Sequence, residues 1–323
     1  MVDAHAHFIP QEVMRWLRDN KRAINAKWED RGGKEHLIIN GKWPFSLNEP
    51  FVNKELFEAQ QDQANISHSL VSPLPQLFLY DFPSEITLEL STVYNNSLID
   101  QVKNNSERYS ALATIPLNDP EKAAMELTRA MKLGMKGAII GVGSFSVQLT
   151  DERCRPLWEV ADRLGAILFI HPLLNGDDRM NKRKMSTLSG VLWETTICAT
   201  DLILSGLLDH YKNVKLLLAH GGGYFPYQIG RLNRGYDVWN DVSSPLEVRP
   251  SDYSRRFWYD SVLWNDDALD YLVKFAGADR IVPGSDFPFE LSDWPPRHQN
   301  FTGWETLLEM KNDISEYSLL NKR

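Results

Sequence analysis

The feature that most constrains the fold of this 323-residue chain is a series of eight short apolar runs. Most of these runs are followed by an amphipathic stretch. Several runs are nearly continuous in Val, Ile, Leu and Ala, which is typical of parallel strands buried on both faces. Strands alternating with helices favour a parallel α/β architecture, and eight of them predict a (β/α)8 TIM barrel, with a doubly wound open sheet as the alternative. The predicted strands are Val2–His7, His68–Ser72, Ser110–Ile115, Gly137–Gly141, Ala166–His171, Lys215–His220, Trp258–Val262 and Arg280–Ser285. Helical patterns between them predict helices at Asn53–Asn65, Ser84–Asn105, Pro120–Leu133, Asp151–Arg163, Glu194–Tyr211, Asp266–Phe275 and Trp304–Asn312.

One segment, at about 8–50, interrupts this alternation. It contains short apolar clusters and the dipeptide Asn40-Gly41 between β-prone residues, which is the usual signature of a tight hairpin turn. Barrels of this length commonly fold as one unit. We therefore predict a single domain over residues 1–323, with a small cap inserted after the first strand at about 8–50.

Composition excludes several classes of function. The chain has 43 acidic and 35 basic residues, a net charge of −8, and no dense Lys/Arg run, so we expect no nucleic-acid partner. Two cysteines are too few for a disulfide framework and fit a reducing compartment. No apolar stretch approaches the roughly 20 residues that cross a bilayer, and the N-terminus lacks a signal-peptide pattern. These features predict a cytoplasmic protein without a membrane partner.

Metal-binding residue types lie at the predicted carboxyl ends of several strands. His5 and His7 end the first strand, and their imidazoles point to the same face because they are two positions apart. His171 ends the fifth strand, His220 the sixth, and Asp286 follows the eighth. These ends meet at one face of a barrel, where nitrogen donors and a carboxylate suit a catalytic divalent metal. For each residue alone, a solvent-facing or structural role remains the alternative.

The other four histidines are not expected at this site. His36 lies in the cap, His210 near a helix end and His298 in a Pro-rich loop, so we predict that all three are surface residues. His68 begins its strand and should therefore lie at the opposite, amino-terminal face of the barrel.

The arrangement of strand-end residues resembles the amidohydrolase superfamily. The stretches DAHAHFIP at 3–10, AHGGG at 219–223 and GSDFPF at 284–289 are similar to the branch that contains aminocarboxymuconate-semialdehyde decarboxylase and related aromatic-acid decarboxylases. Glu194-Thr195-Thr196 and Phe225-Pro226 also fit that branch. The resemblance runs from Met1 to about Glu290 and is weakest in the cap.

The resemblance implies one divalent metal, with Zn preferred, Mn as the alternative and a water as the remaining ligand. It assigns His220 as general base or proton shuttle and gives Asp286 a part in proton transfer as well as in ligation. The fourth strand ends near Gly141 without the lysine that bridges two metals in dinuclear relatives, so we expect a mononuclear site. The implied ligands are His5, His7, His171 and Asp286.

The cap departs from the family pattern at a substrate-gripping arginine. In Gly41-Lys42-Trp43-Pro44-Phe45, Phe45 stands where that arginine is expected. Lys42 or Lys34 is the candidate replacement cation, although an ammonium lacks the planar fork of a guanidinium. The substrate is therefore expected to differ from aminocarboxymuconate semialdehyde.

Further substrate contacts follow from the same resemblance. Arg231 matches a second family arginine that is reached across a dimer interface, which implies a homodimer, while a plain helix-surface role is the alternative. A family tryptophan that stacks on the substrate falls near Thr187 here, and Trp193 is displaced from it. Phe289 is a candidate wall of the pocket.

The resulting hypothesis is a lyase that removes CO2 without oxidation from an unsaturated or aromatic carboxylic acid. The alternative enzyme is a metal-dependent hydrolase or hydratase of a lactone, ester, amide or C=C bond, because the same five residues suit that chemistry. A non-catalytic metal-binding barrel is the third reading, and the intact set of strand-end residues disfavours it.

Overall fold

The computed structural model describes residues 1–143, 147–174, 176–297 and 300–309 and shows a closed parallel barrel. The predicted strands are all found, although most are shorter, because their last residues leave the ladder to form the carboxyl-face loops. The third is split at Leu112, whose N–H still donates to Val71 O at 3.0 Å. The barrel strands are β1 (Val2–His7), β5 (His68–Ser72), β6 (Tyr109–Ala111), β7 (Ala113–Thr114), β8 (Gly137–Ile140), β9 (Ile167–Ile170), β10 (Lys215–Leu218), β11 (Phe257–Asp260) and β12 (Ile281–Val282).

Strand pairing follows chain order and then closes on itself. One sheet runs β1-β5-β6 and the other β12-β11-β10-β9-β8-β7, with parallel pairing between neighbours. Beyond β12, His7 N–H donates to Phe287 O at 2.8 Å, next to a parallel bridge between Ala6 and Phe287. The first and eighth strand positions are therefore adjacent, as a (β/α)8 barrel requires and an open sheet forbids.

Helices separate most of the strands, and sequence patterns located most of them. Asp119 accepts a hydrogen bond from Lys122 N–H at 3.2 Å and caps the helix that begins at Pro120. The helices are α1 (Gln11–Asp19), α2 (Lys54–Gln63), α3 (Ser84–Lys103), α4 (Pro120–Lys132), α5 (Arg155–Leu164), α6 (Val191–Leu204), α7 (Leu207–His210), α8 (Phe225–Val238), α9 (Asn240–Ser243), α10 (Asp266–Ala276) and α11 (Gly303–Leu308).

The segment between β1 and α2 contains an antiparallel sheet of three strands. Asn40 and Gly41 both have positive φ, 53° and 69°, as the tight hairpin predicted at this dipeptide requires. Two contacts tie the segment to the loop after β12: Lys34 Nζ pairs with Glu290 Oε1 at 2.9 Å, and Asn48 Nδ2 donates to Pro288 O at 3.2 Å. The three strands are β2 (Ala26–Asp30), β3 (Glu35–Ile39) and β4 (Lys42–Ser46).

Two apolar clusters form the core. The larger one fills the barrel and the layer between strands and helices, and its fully buried side chains include Phe169 and Trp158. The smaller one joins α1 to the antiparallel sheet, with Leu37 and Phe51 completely buried. None of the helices in the described ranges is both long and apolar enough to cross a membrane.

Candidate metal centre

Side chains from four strand ends converge at the carboxyl face of the barrel. Each of His5, His171, His220 and Asp286 offers a ligand atom, and these atoms all lie within 4.8 Å of one another. His7 Nε2 lies 3.1 Å from His5 Nε2 and 3.2 Å from Asp286 Oδ1. All five side chains are buried. The structure thus brings together the five strand-end residues singled out from the sequence.

Three of the imidazoles are held so that one nitrogen faces the centre. In each, Nδ1 lies against an oxygen that can only accept, so Nδ1 carries a proton, and Nε2 has an unshared electron pair whenever the ring is neutral. This orientation is the one that a metal-ligating histidine adopts. For His5, His7 and His171 in turn, the acceptors are Asp260 Oδ2 at 2.6 Å, Pro73 O at 3.2 Å and Pro172 O at 2.8 Å.

The resulting group of acceptor atoms fits a divalent metal. His5 Nε2, His7 Nε2 and Asp286 Oδ1 are 3.1–3.2 Å apart, and such acceptor atoms repel one another unless a proton or a metal cation lies between them. Ligand atoms of a tetrahedral Zn site are roughly 3.3 Å apart, because the Zn–N bonds are about 2.0–2.1 Å long. The buried His171 Nε2 has no hydrogen-bond partner within the described ranges, which also leaves it available as a ligand.

The electrostatics of the cluster follow from burial and two carboxylates. Burial lowers the pKa of His5, but the charge of Asp286 and hydrogen bonds to Asp260 and Asp286 outweigh it and raise that pKa to about 10. Burial lowers the pKa of His7 and carries that of His171 well below its usual range. The pKa of Asp286 is raised by burial, yet the adjacent imidazoles bring it well below its usual value. The raised pKa favours a protonated His5 in the metal-free protein, with its Nε2 facing Asp286 Oδ1 at 3.1 Å.

His220 differs from the other three imidazoles. Its Nε2 lies 3.5 Å from Asp286 Oδ2, while its buried Nδ1 has no hydrogen-bond partner among the residues that the structure describes. The indole of Trp264 lies nearly parallel to the His220 ring, at 18° and 6.5 Å between centroids. The Asp286 carboxylate is thus the acceptor that faces Nε2, and Nδ1 has none within the described ranges, an arrangement that suits a residue that exchanges a proton.

The chain turns sharply at His220, and glycines make this turn accessible. His220 has φ 54°, and Gly221–Gly223 follow with φ 60°, 78° and 64°, a left-handed run that other residues rarely adopt. A Cβ on Gly223 would lie 2.2 Å from Leu192 O in α6. Thr196 Oγ1 accepts from Tyr224 N–H at 2.7 Å. The Glu-Thr-Thr motif thus supports the loop that carries His220.

The predicted substrate residues are divided between the site and its surroundings. Phe289 contacts the centre directly, with its ring 5.4 Å from that of His7 and edge-on to it. Phe45 packs, partly buried, against the smaller apolar cluster. Lys42 Nζ pairs with Asp81 Oδ2 at 2.5 Å, so a carboxylate of the protein already neutralises this cation.

Trp193 and Arg231 line a different surface. Both border a groove between α6 and α8, together with Gln228 and Trp239 and with none of the five cluster residues. The guanidinium of Arg179 lies 5.5 Å above the Trp193 ring. Their roles toward a substrate remain predictions.

Of the four histidines that were not expected at the site, the structure describes three. His68 begins β5 as predicted, with Nε2 3.0 Å from Ser110 Oγ, and His210 is exposed at the end of α7. His36 is half-buried, and its Nδ1 lies 3.0 Å from Lys34 O. The prediction for His298 lies outside the described residues.

Two buried carboxylates of the site were missed by the sequence reasoning. Asp260 ends β11 and contacts His5, and the strand-end rule that found Asp286 could have found it too. Asp3 accepts from Ser285 Oγ at 2.6 Å and from His5 N–H at 3.0 Å, and burial raises its pKa to about 7. No local signal separates Asp3 from an ordinary strand residue.

We predict that metal binding displaces one proton, from His5. His7 and His171 are neutral and Asp286 is ionised near neutral pH. Among the proposed ligands, His5 is therefore the one that must lose a proton before it can bind the metal. The apparent Kd for Mn²⁺ should therefore weaken about tenfold when the pH falls from about 8.5 to 7.5. Calorimetric titration of metal-free protein in two buffers of different ionisation enthalpy measures the proton count. A His5→Gln control should release none, and equal release from both proteins would contradict this assignment.

Comparison with known proteins places the barrel in a family. The amidohydrolase family model matches residues 2–312. A 2-amino-3-carboxymuconate-6-semialdehyde decarboxylase of Dictyostelium discoideum is 28% identical over 302 residues, covering 91% of this chain and 83% of the relative. Decarboxylase macB of Penicillium terrestre is 31% identical over 307 residues, covering 89% and 84%.

A solved structure shows the same fold. It is a dihydroxybenzoic acid decarboxylase from Polaromonas sp. JS666 with bound manganese and the inhibitor 2-nitroresorcinol. It superposes with a TM-score of 0.71 at 19% identity, over 98% of this chain and 92% of that one. With the family model spanning nearly the whole chain, this protein belongs to the amidohydrolase family.

Proposed function

We propose that this protein is a metal-dependent, non-oxidative decarboxylase of an aromatic or unsaturated carboxylic acid. The observation that carries the proposal is the buried convergence of His5, His171, His220 and Asp286 in a chain whose matched curated relatives are decarboxylases. No specific contact favours the hydrolase or hydratase alternative.

The proposed metal ligands are those implied by the resemblance. A bound divalent metal would supply a Lewis acid that orients the oxygens of the acid and offsets their charge. Zn is the first choice for a set of imidazoles and one carboxylate, and Mn is supported by the manganese in the Polaromonas structure. The proposed ligands are His5, His7, His171 and Asp286.

His220 is the proposed proton donor and acceptor. In the reaction the bond between the substrate carbon and its carboxylate breaks, CO2 leaves, and the electron pair remains on that carbon. A proton must then reach the same carbon, and His220 lies in the cluster with its Nδ1 unpartnered among the described residues. Asp286, 3.5 Å away through Oδ2, can stabilise the imidazolium when His220 takes up the next proton.

Aromatic side chains beside the cluster support a flat, conjugated substrate. Phe289 lies edge-on to His7, and Trp264 lies nearly parallel to His220. Flat rings favour other flat rings in such stacked and edge-on arrangements. Conjugation also supplies the electron sink that decarboxylation needs, so the proposal includes no organic cofactor.

The cap supports a substrate other than aminocarboxymuconate semialdehyde. Phe45 is packed into the smaller apolar cluster, and Lys42 is already paired with Asp81. Neither offers the planar guanidinium that grips a substrate carboxylate in the family pattern. We therefore propose a conjugated carboxylic acid other than aminocarboxymuconate semialdehyde, turned over by a single domain with its cap at about 8–50.

A homodimer is proposed from the surface beside Arg231. Trp239 and Ile197, which line the groove between α6 and α8, are exposed to 60% and 49%, and Tyr227 on α8 is exposed to 87%. Apolar rings clustered on one face are typical of protein interfaces. A cytoplasmic location is proposed with it, and the free thiols of Cys154 and Cys198 support a reducing compartment.

We predict CO2 release from phenolic or other conjugated carboxylic acids. Purified protein would be offered a panel of such acids alongside lactones and esters, with gas release and base consumption followed in parallel. Metal removal by a chelator should abolish turnover, and Zn²⁺ or Mn²⁺ should restore it. Base consumption on esters or lactones without CO2 from any acid would point to a hydrolase instead.

Substitutions at His220 and His7 should separate catalysis from ligation. His220→Asn is expected to lower kcat by about 10²–10⁴-fold while the protein keeps one metal ion per chain. His7→Gln should lower the metal content as well as the rate. Metal analysis by mass spectrometry reports both. If His220→Asn loses the metal while His7→Gln keeps it, the two histidines exchange roles.

Charges placed on the exposed face should separate the dimer. A Tyr227→Asp, Trp239→Asp double variant is expected to halve the mass measured by light scattering. Met125→Asp is the matched control, because Met125 is 71% exposed on α4, away from the groove. A monomeric wild-type protein, or an unchanged mass in the double variant, would contradict the proposed interface.

A further inference from the structure

One carboxylate outside the proposed ligand set holds together two parts of the site. Asp260 is completely buried at the end of β11. Its Oδ2 accepts from His5 Nδ1–H at 2.6 Å and from His220 N–H at 3.0 Å. Its Oδ1 accepts from Gly221 N–H at 2.9 Å and Val262 N–H at 3.2 Å. Four donors from three strand ends thus meet on one side chain.

We infer that Asp260 is the positioning residue that sets His5 and His220 relative to each other. Through Nδ1 it keeps the Nε2 of His5 directed at the centre, and through the two backbone N–H groups it holds the left-handed turn on which His220 stands. The inference rests on the proposed function, because it assigns the two imidazoles to ligation and proton transfer.

The pattern of donors explains why a carboxylate is needed at this position. A carboxylate only accepts, and each of its two oxygens here receives two hydrogen bonds. An amide presents one oxygen and one NH2 group, so two of the four donors would always face another donor. With the NH2 group toward His5, the imidazole would have to move its proton to Nε2 and lose the lone pair that faces the centre.

Asp3 provides a useful contrast beside the same imidazole. It is equally buried, but it accepts from the backbone N–H groups of His5 and Ser285 and from the Ser285 hydroxyl, whereas Asp260 accepts from the imidazole of His5. Asp3 thus holds the ends of β1 and the eighth strand together, while Asp260 acts on the orientation of a ring. The two carboxylates should therefore differ in their effect on metal affinity.

The test is the affinity of chelator-treated protein for Zn²⁺, measured by competition with a chromophoric chelator. Asp260→Asn is expected to raise the Kd by about 10–100-fold, as for other partners of metal-ligating histidines. The matched control is Glu126→Gln, a buried carboxylate in α4 that accepts from Asn95 Nδ2 at 2.6 Å and lies outside the site. The control should bind Zn²⁺ as the wild type does. A Kd for Asp260→Asn within about threefold of the wild type would overturn the inference.

A second measurement needs no destabilising substitution in the protein under test. In Zn²⁺-loaded wild type labelled with ¹⁵N-histidine, the Nδ1–H of His5 should give a strongly downfield-shifted proton resonance, because it donates to a buried carboxylate. Its assignment follows from its loss in His5→Gln. Absence of this resonance in the wild type would overturn the inference even if Asp260→Asn does not fold.

Neither measurement requires turnover, so the proposed reaction and the positioning role of Asp260 are tested independently. If no carboxylic acid yields CO2 but Asp260→Asn still weakens Zn²⁺ binding, the proposed reaction is wrong and the positioning role stands. If CO2 is released and Zn²⁺ affinity is unchanged in Asp260→Asn, the reaction stands and the positioning role is wrong.

Discussion

Closure of the barrel between the first and eighth strand positions is the constraint on which the site depends. Ala4 N–H donates to Pro283 O at 2.7 Å and Asp286 N–H to His5 O at 2.8 Å, so the register between the two ends of the barrel is fixed by backbone hydrogen bonds. A slip by one residue would turn each side chain to the opposite face. This register places the Asp286 carboxylate against His5 and His7, which come from the far end of the sequence.

Much of the fold and the cluster could be predicted because local patterns encode them. Buried parallel strands leave runs of Val, Ile and Leu, and the residue that ends such a run must lie at the carboxyl face once the sheet is parallel. His171, His220 and Asp286 followed from this rule. The rule did not select Asp260, because the seventh strand was predicted to end at Val262, whereas β11 ends at Asp260.

Other features depend on contacts that the sequence does not display. Helix α8 was not predicted, because its outward residues include the exposed apolar side chains Tyr227 and Val238, which blur the 3.6-residue periodicity. Helix α6 begins at Val191 and ends at Leu204, before a left-handed Gly206, whereas the sequence predicted a helix over 194–211. Distance alone favours His220 over His7 as a ligand, because the four atoms within 4.8 Å of one another belong to His5, His171, His220 and Asp286, while the resemblance assigns ligation to His7. The difference lies in the acceptor on Nδ1, which His7 has and which His220 lacks within the described ranges.

The strand ends and the loops of the barrel carry different parts of the site. The strand ends carry the acceptor atoms of the cluster. A substitution of one of these residues is therefore expected to alter metal binding itself. Phe289, in contrast, lies in a loop between His7 and Phe51, with ring centroids at 5.4 and 5.0 Å. The segment that carries Lys34 and Asn48 holds this loop through Glu290 and Pro288. Substitutions in the 8–50 segment can thus shift Phe289 without replacing a residue of the strand-end cluster, which supports the proposal that this segment influences which substrate is accepted.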